Sequence, residues 1–182
     1  MIIGITGTLG AGKGTVVEYL KQKGFTHYSA RDVWNEEIDR RGLPRTRDNM
    51  VIVANELRAE HGPHYFAEVS IAKAKEHGGD AVIESIRALG EAQCIKEHGG
   101  FIWAIDADIK KRYERIVGRQ SETDKVSFEK FVADEQAEFA NADPNKQNIS
   151  GVMKMADAVF QNNGTPKELY QQVEAALQRA GV

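Results

Sequence analysis

A glycine-rich segment that directly follows a short apolar run constrains this sequence more than any other feature. Residues 2–6 read IIGIT, residues 7–15 read GTLGAGKGT, and a helical apolar pattern begins near Gly12. Glycines let the main chain curl so that successive N–H groups point at phosphate oxygens, the start of a helix adds its positive dipole end, and Lys13 adds a mobile cation. A simple strand-to-helix turn explains one glycine, but not four with a lysine at this spacing. The pattern predicts a phosphate-binding loop, whose nucleotide-binding residues are Gly10, Ala11, Gly12, Lys13, Gly14 and Thr15.

Five short apolar runs alternate with longer helical patterns along the chain. The runs are Ile2 to Thr6, Phe25 to Ser29, Ala81 to Glu84, Phe101 to Asp106 and Ala158 to Gln161. Strands that alternate with helices are joined by crossover connections, and such connections produce a parallel sheet with helices packed on it. The sequence therefore predicts an α/β fold.

Two segments differ from ordinary crossover connections. Residues 32–77 form a helical pattern that is broken by Gly42-Leu43-Pro44 and again by Gly62-Pro63, which predicts a helical insert between the second and third strands. Residues 119–125 read RQSETDK and contain almost nothing to bury. A polar stretch of this kind predicts a short segment that can move.

Size, charge and cysteine content narrow the classes of function. The chain has 182 residues, of which 41% are hydrophobic and 28% charged, and this predicts one soluble domain over residues 1–182. The formal net charge of −3 argues against electrostatic binding to nucleic acid or to an anionic membrane. A lone Cys94, together with an N-terminal sequence that lacks an apolar leader, predicts a cytoplasmic protein in a reducing compartment. Both a monomer and a homodimer are compatible with the sequence.

The glycine-rich loop also resembles the loop of a known family. The general phosphate-loop pattern has Ser or Thr directly after the lysine, whereas here Gly14 follows Lys13 and Thr15 comes next. This Gly-Lys-Gly-Thr variant is similar to the loop of adenylate kinases and related nucleoside monophosphate kinases. Further segments look like landmarks of that family or, in the last case, of dephospho-coenzyme A kinases as well: residues 25–33, 82–87, 112–119 and 156–165.

This resemblance implies a fold and a set of ligands. The fold is that of a P-loop NTPase with three α/β/α layers and a five-stranded parallel sheet in the order 2-3-1-4-5. Residues 32–77 would bind the phosphate acceptor, and residues 119–125 would form a short lid. The implied phosphoryl donor is ATP, the implied metal is Mg²⁺, and the implied partner is a small molecule that accepts the phosphoryl group.

The resemblance also implies roles for single residues. The implied catalytic residues are Lys13, Arg87, Arg115 and Arg119. Arg87 would hold the acceptor's phosphate, while Arg119 and Arg115 would neutralise charge on the transferred group, because phosphoryl transfer depends on cations placed around an in-line geometry. The residues implied beside ATP, in addition to the loop, are Arg115, Asn162, Gly164 and Thr165. Thr15 and Glu84 would hold Mg²⁺ directly or through its waters.

The acceptor side departs from the adenylate kinase pattern. Ala30 and Asn35 stand where that pattern has a threonine and an arginine. The role of holding the phosphate then passes to Arg31, or to Arg45 and Arg47, although these two also fit a solvated loop. The implied acceptor-binding residues are Ser29, Arg31, Asp32, Arg45, Arg47, Arg87 and Glu91.

Several of the implied residues have more than one interpretation. Glu91 or Gln93 matches the glutamine that reads adenine in the family, and a carboxylate there would favour a base that presents N–H donors. Glu84 also fits a cap on the following helix. Arg115 and Arg119 also fit solvated charges on a helix surface.

Three functions are compatible with these patterns. The first is transfer of the γ-phosphoryl group of ATP to a nucleoside or deoxynucleoside monophosphate, giving the diphosphate and ADP. The second is that of a dephospho-coenzyme A kinase or a similar kinase that acts on a hydroxyl group. The third is a regulatory P-loop NTPase, in which hydrolysis drives a conformational change rather than phosphorylation of a metabolite.

Overall fold

The computed structural model describes residues 1–118, 127–139, 143 and 146–181. The predicted lid at residues 119–125, including the implied catalytic residue Arg119, lies outside the described residues. Within the described part, no helix has both the length and the apolar character needed to cross a membrane.

A five-stranded parallel sheet forms the centre of the fold. Its strands are β1 (Ile2–Gly7), β2 (Thr26–Ser29), β3 (Ala81–Glu84), β4 (Phe101–Asp106) and β5 (Ala158–Gln161). Their order across the sheet is β2-β3-β1-β4-β5, and all four pairs of neighbouring strands are parallel. The predicted α/β fold and strand order are therefore confirmed.

Helices follow each strand and cover both faces of this sheet. They are α1 (Lys13–Gln22), α2 (Ala30–Arg40), α3 (Arg47–His61), α4 (Tyr65–His77), α5 (Leu89–Glu97), α6 (Ile109–Gly118), α7 (Phe128–Phe139), α8 (Ile149–Lys154) and α9 (Pro166–Ala180). The predicted insert corresponds to α2, α3 and α4, and the breaks between these helices fall at the predicted glycine and proline positions. The second helix begins two residues earlier than the predicted insert, at Ala30, because Ser29 caps it.

Two apolar clusters separate the layers, one on each face of the sheet. Alternation along the strands explains them, because successive side chains of a strand point to opposite faces. Val82 packs with α1 and α9, whereas its neighbour Ile83 packs with the insert helices and α5. Trp34 and Trp103 are both buried in these clusters, one on each side. The carboxyl ends of β1 and β3, which are adjacent in the sheet, thus lie between the first helix and the insert.

Candidate active site

The loop between β1 and α1 has a shape that only glycine allows at two positions. Gly10 and Gly12 have φ angles of 78° and 100°, a region that other residues rarely adopt. A Cβ atom on Gly10 would lie 2.5 Å from the Arg112 carbonyl oxygen, and one on Gly12 would lie 2.3 Å from Nδ2 of Asn162. Gly14 is different, because a Cβ atom there would meet nothing within 4 Å. The loop is therefore packed tightly from outside, while its helical end at Gly14 faces open space.

Lys13 lies across the mouth of this loop. Its Nζ atom donates hydrogen bonds to the carbonyl oxygens of Gly7 and Thr8, at 2.9 and 2.8 Å. The ammonium group is therefore held beside the N-terminus of α1, where main-chain N–H groups lack partners within the helix. A cation and a helix N-terminus at one place form a site suited to phosphate groups.

Side chains from distant parts of the chain hold the loop from behind. The Thr8 hydroxyl donates to Oδ1 of Asp106 at 2.7 Å, and that oxygen also accepts from the Ala107 main chain at 2.9 Å. Arg112, which is 5% exposed, donates to the carbonyl oxygens of Leu9 and Ala107 at 3.2 and 2.9 Å. Its guanidinium group also forms an ion pair with Glu135 of α7. Sequence reasoning gave no role to Asp106, Arg112 or Glu135, because their contacts depend on how the helices pack.

The implied ATP-side residues divide into two groups. Asn162 donates from Nδ2 to the Ala11 carbonyl at 2.8 Å, and Arg115 donates from Nη2 to the Asn162 carbonyl at 2.8 Å. Nη1 of Arg115 is buried without a hydrogen-bond partner among the described residues. Asn162 thus contacts the phosphate loop directly, and Arg115 is linked to the loop through Asn162.

The other two implied ATP-side residues lie at the start of the last helix. The Thr165 hydroxyl accepts from the Glu168 main chain at 3.3 Å, and the Glu168 carboxylate accepts from the Thr165 main chain at 2.6 Å, so this pair caps α9. Gly164 lies against the same carboxylate and lines a shallow groove with Gln161 and Asn163. Their contacts in this structure therefore stabilise the helix start rather than the loop.

Glu84 stands at the end of β3, beside the phosphate loop. Strand β3 pairs with β1, and Glu84 lies opposite Ile5 of β1. His27 of β2 lies with Nε2 at 3.1 Å from Oε2 of this carboxylate. The hydrogen bond with His27 lowers the pKa of Glu84 below its usual value, and burial, which raises it, only partly opposes this. The charges of His27, Lys13 and Arg87 lower the pKa of Glu84 further, which favours its ionised form.

Arg87 follows Glu84 through a strained turn. Ser85 has a φ angle of 74°, and it is the one residue other than glycine with a positive φ among those that the structure describes. The Ile86 N–H still bonds to the Ile5 carbonyl at 3.0 Å, so the turn keeps contact with β1. Arg87 donates from Nη1 to Oε1 of Gln147 at 3.1 Å. Strained residues of this kind persist where the surrounding structure fixes them, and they often mark functional sites.

Glu91 corrects one expectation. Its side chain is fully buried at 0% exposure, so it does not face an open acceptor pocket. One oxygen, Oε1, accepts from Nε and Nη2 of Arg58 at 3.3 and 3.2 Å. The other, Oε2, accepts from the main-chain N–H groups of Arg87 and Ala88 at 2.8 and 3.0 Å. In place of reading a base, Glu91 fixes the main chain that carries Arg87.

The remaining implied acceptor residues lie on or beside the insert. Ser29 caps α2 by accepting from the Arg31 main chain at 3.2 Å, and the side chains of Arg31 and Asp32 are exposed. Arg45 donates from Nε to Asp39 at 2.9 Å, and it therefore pairs within the insert. Arg47 begins α3. Arg31 forms no ion pair with a residue that the structure describes.

Comparison with known proteins places the chain in a class. A model of the family described as "AAA domain" matches residues 3–141. A UPF0200 protein of Thermococcus sibiricus is 32% identical over 190 residues, covering 100% of this chain and 96% of that protein. A UPF0200 protein of Pyrococcus horikoshii is 30% identical, with 98% and 97% covered. The chain therefore belongs to the AAA-domain family that this model describes and to the UPF0200 family.

Solved structures share the fold over nearly the whole chain. The protein TT1252 from Thermus thermophilus has a TM-score of 0.61 and 24% identity, with 98% of this chain and 97% of that one covered. A shikimate kinase from Aquifex aeolicus has a TM-score of 0.54 and 17% identity, with 99% and 98% covered. A dephospho-CoA kinase from Campylobacter jejuni has a TM-score of 0.55 and 18% identity, with 98% and 96% covered. The fold is thus that of the P-loop small-molecule kinases.

Proposed function

We propose that this protein transfers the γ-phosphoryl group of ATP to a small molecule that carries an anionic group, with a nucleoside or deoxynucleoside monophosphate as the first candidate. The observation that carries the proposal is the group formed by Lys13, Glu84 and Arg87. Lys13 belongs to the phosphate loop that follows β1, while Glu84 and Arg87 come from the carboxyl end of β3, the strand paired with β1, and the charges of both cations lower the pKa of the Glu84 carboxyl group. A donor site and an acceptor site that meet in this way suit direct transfer between two ligands.

The residues also fit a magnesium ion. Mg²⁺ prefers oxygen ligands and is usually held by one or two carboxylates, waters and the phosphates of the substrate. Glu84 offers an ionised carboxylate, and Thr15 offers a hydroxyl in the first turn of α1. When bound, the metal would neutralise charge on the donor's phosphates. Lys13 would leave the two loop carbonyls to bind phosphate oxygens. Arg115, whose Nη1 has no hydrogen-bond partner among the described residues, would bind the donor's negatively charged phosphates from the side of α6.

On the acceptor side, pairing of charges within the insert selects among the arginines. Arg45 is bound by Asp39, and Arg40 and Arg41 are both bound by Glu37. The exposed Arg31 therefore suits the acceptor's anionic group better than Arg45 does. Glu91 is buried, and the alternative Gln93 binds Glu97 on the exposed side of α5, so we assign no residue to recognition of a base.

A kinase that acts on a hydroxyl group, such as one for dephospho-coenzyme A, is the second candidate. It is favoured by the ion pairs of the insert, because most of its described arginines and lysines are paired with carboxylates and leave few groups to bind a phosphate dianion. The likeness to the dephospho-CoA kinase fold agrees with it. Both candidates share the donor site and differ only in the acceptor.

A substrate panel tests both candidates against hydrolysis. The protein is mixed with ATP and Mg²⁺, and ADP release is measured with each nucleoside and deoxynucleoside monophosphate, with dephospho-coenzyme A, with hydroxylated carboxylates, and with no acceptor. Release that requires one of the monophosphates supports the first candidate, and release that requires a hydroxyl compound supports the second. Equal release with and without every acceptor would refute the proposed kinase and identify an NTPase.

A further inference from the structure

A buried ion pair joins helix α3 of the insert to helix α5. Arg58 of α3 is 4% exposed and Glu91 of α5 is 0% exposed. The guanidinium group approaches Oε1 through two nitrogens, at 3.3 and 3.2 Å. It also lies 5.3 Å from the centre of the Trp34 ring of α2. Arg58 thus contacts both an insert helix and the helix that follows Arg87.

The stability of the fold does not by itself account for such a pair. Removing two charges from water costs several kcal/mol per ion before their attraction is counted, and replacing a buried pair by apolar side chains of similar size is often neutral or stabilising. The surroundings of this pair are apolar, with Trp34, Leu57 and Ala92 among the buried residues of the same cluster. A pair retained in such a place therefore fits a role in fixing a geometry.

The geometry that it fixes is that of Arg87. The second oxygen of Glu91 accepts from the main-chain N–H groups of Arg87 and Ala88, at 2.8 and 3.0 Å. The main chain there has just passed through the strained turn at Ser85. A carboxylate that binds two successive N–H groups holds such a turn, provided that the carboxylate itself cannot rotate. Arg58 prevents this rotation by binding the other oxygen.

We propose that Arg58 and Glu91 are positioning residues that fix Arg87 for the acceptor's anionic group and make that position depend on the insert. The proposal rests on the role given to Arg87 in the proposed function. Neither side chain touches the ligands. Arg58 acts through Glu91, and Glu91 acts through the main chain of Arg87.

Three variants separate this role from simple stabilisation. They are Arg58→Met, Glu91→Gln, and the double variant Arg58→Met with Glu91→Met. Three quantities are measured on each: the melting temperature, the hydrogen exchange of the Arg87 and Ala88 amides by NMR, and the binding of inorganic phosphate followed by the Arg87 side-chain NMR signal. Saturating ADP with Mg²⁺ is present in the phosphate titration to occupy the loop. Arg41→Met, which removes an exposed insert ion pair to Glu37 and Glu56, serves as the control.

The double variant decides the question. Both single variants are expected to lower the melting temperature, since each leaves a buried polar group without its partner. The double variant is expected to recover the melting temperature, yet its Arg87 amide should exchange about tenfold faster than in the wild type, which corresponds to one lost hydrogen bond, and phosphate should bind more weakly. Arg41→Met should change neither exchange nor phosphate binding.

Two contrary outcomes have different meanings. Wild-type exchange and wild-type phosphate binding in the double variant would overturn the positioning role, because the pair would then be purely structural. A wild-type protein in which phosphate leaves the Arg87 signal unchanged would instead count against Arg87 as an acceptor group, and so against the proposed function. The exchange rates would still decide whether Arg58 and Glu91 fix the main chain of Arg87.

Discussion

The phosphate loop and the helical insert are built by different kinds of contact. Around the loop, the side chains of Lys13, Arg112 and Asn162 bind main-chain carbonyl oxygens of the loop itself. In the insert, side chains bind one another, as in the pairs Arg45 with Asp39 and Lys73 with Glu36. A site made from the main chain depends on backbone shape, whereas a site made from paired side chains depends on which partners are present.

This difference has a functional consequence. A loop that binds its ligand through main-chain N–H groups depends on backbone shape, which suits a donor whose triphosphate is common to many enzymes. An insert held by ion pairs can change its surface by single substitutions, which suits an acceptor that differs from one kinase to the next. Arg87 is linked to both regions, because Glu91, which binds its main chain, pairs with Arg58 of the insert, and because its charge lowers the pKa of Glu84 beside the loop.

The largest expected effect is at Lys13. In the Lys13→Ala variant, kcat/KM should fall by about 10²- to 10³-fold or more, because the cation for the donor's phosphates is lost while the glycine framework of the loop remains. The measurement is acceptor-dependent ADP release, with the circular dichroism spectrum as a check on folding. Lys21→Ala, which removes an exposed lysine of the same helix that pairs with Glu18, is the matched control. Unchanged turnover in Lys13→Ala would exclude the loop as the donor site.

Arg87 is expected to give the next largest effect, and it tests the boundary between the two regions. In Arg87→Ala, kcat/KM for the acceptor should fall by about 10- to 100-fold, because a charged hydrogen bond to the acceptor is lost. Affinity for ATP should change little. Initial rates at varied concentrations of each substrate separate the two effects. Arg40→Ala, which removes an exposed arginine of the insert, is the control. If only the affinity for ATP falls in Arg87→Ala, Arg87 belongs to the donor side.

How much of the molecule the sequence predicts follows from how local each contact is. The sequence predicts the loop because the glycines and the lysine that the loop needs lie within nine consecutive residues. It predicts the sheet because the alternation of strands and helices is a local pattern. The sequence does not predict the role of Arg112, because the residue that it contacts, Leu9, is 103 positions away in the chain. Sequence alone does not specify a contact that depends on how α6 packs against the loop.

On the acceptor side, a residue role that was predicted from the sequence differs from the contacts in the structure. The resemblance to adenylate kinases places Glu91 or Gln93 near a base, yet the structure buries Glu91 completely. A signal was available, since an acidic residue in the first turn of a helix commonly binds N–H groups at that helix's start. Ser29, which the resemblance implies on the acceptor side, instead caps α2 by accepting from the Arg31 main chain.

Two glycines of the loop test whether its main-chain shape or its open space matters. Gly12→Ala should destabilise the fold by about 1–3 kcal/mol, because the left-handed conformation is strained for alanine and the added Cβ meets Asn162. Gly14→Ala should keep or slightly raise stability, since glycine within a helix costs up to about 1 kcal/mol, but it should weaken ATP binding by filling space at the helix N-terminus. Urea unfolding and calorimetry with ATP measure the two quantities. Equal destabilisation by both variants would show that backbone shape is not what distinguishes them.

The smallest expected effect concerns the ion pairs of the insert. Hydrogen bonds from Arg40 and then Arg41 lower the pKa of Glu37 from 4.5 to about 2. A carboxyl group whose pKa is lower in the folded state adds stability that is complete above its unfolded pKa and is lost as the pH falls through its folded pKa. Wild-type stability should therefore decline between about pH 4.5 and pH 2 more steeply than that of Glu37→Gln, which takes up one proton fewer on acid unfolding. Urea unfolding at a series of pH values measures how the free energy of unfolding of each protein depends on pH. Glu36→Gln is the control for loss of a carboxylate from the same helix. The same pH dependence in the wild type and Glu37→Gln would mean that the ion pairs of Glu37 do not stabilise the insert.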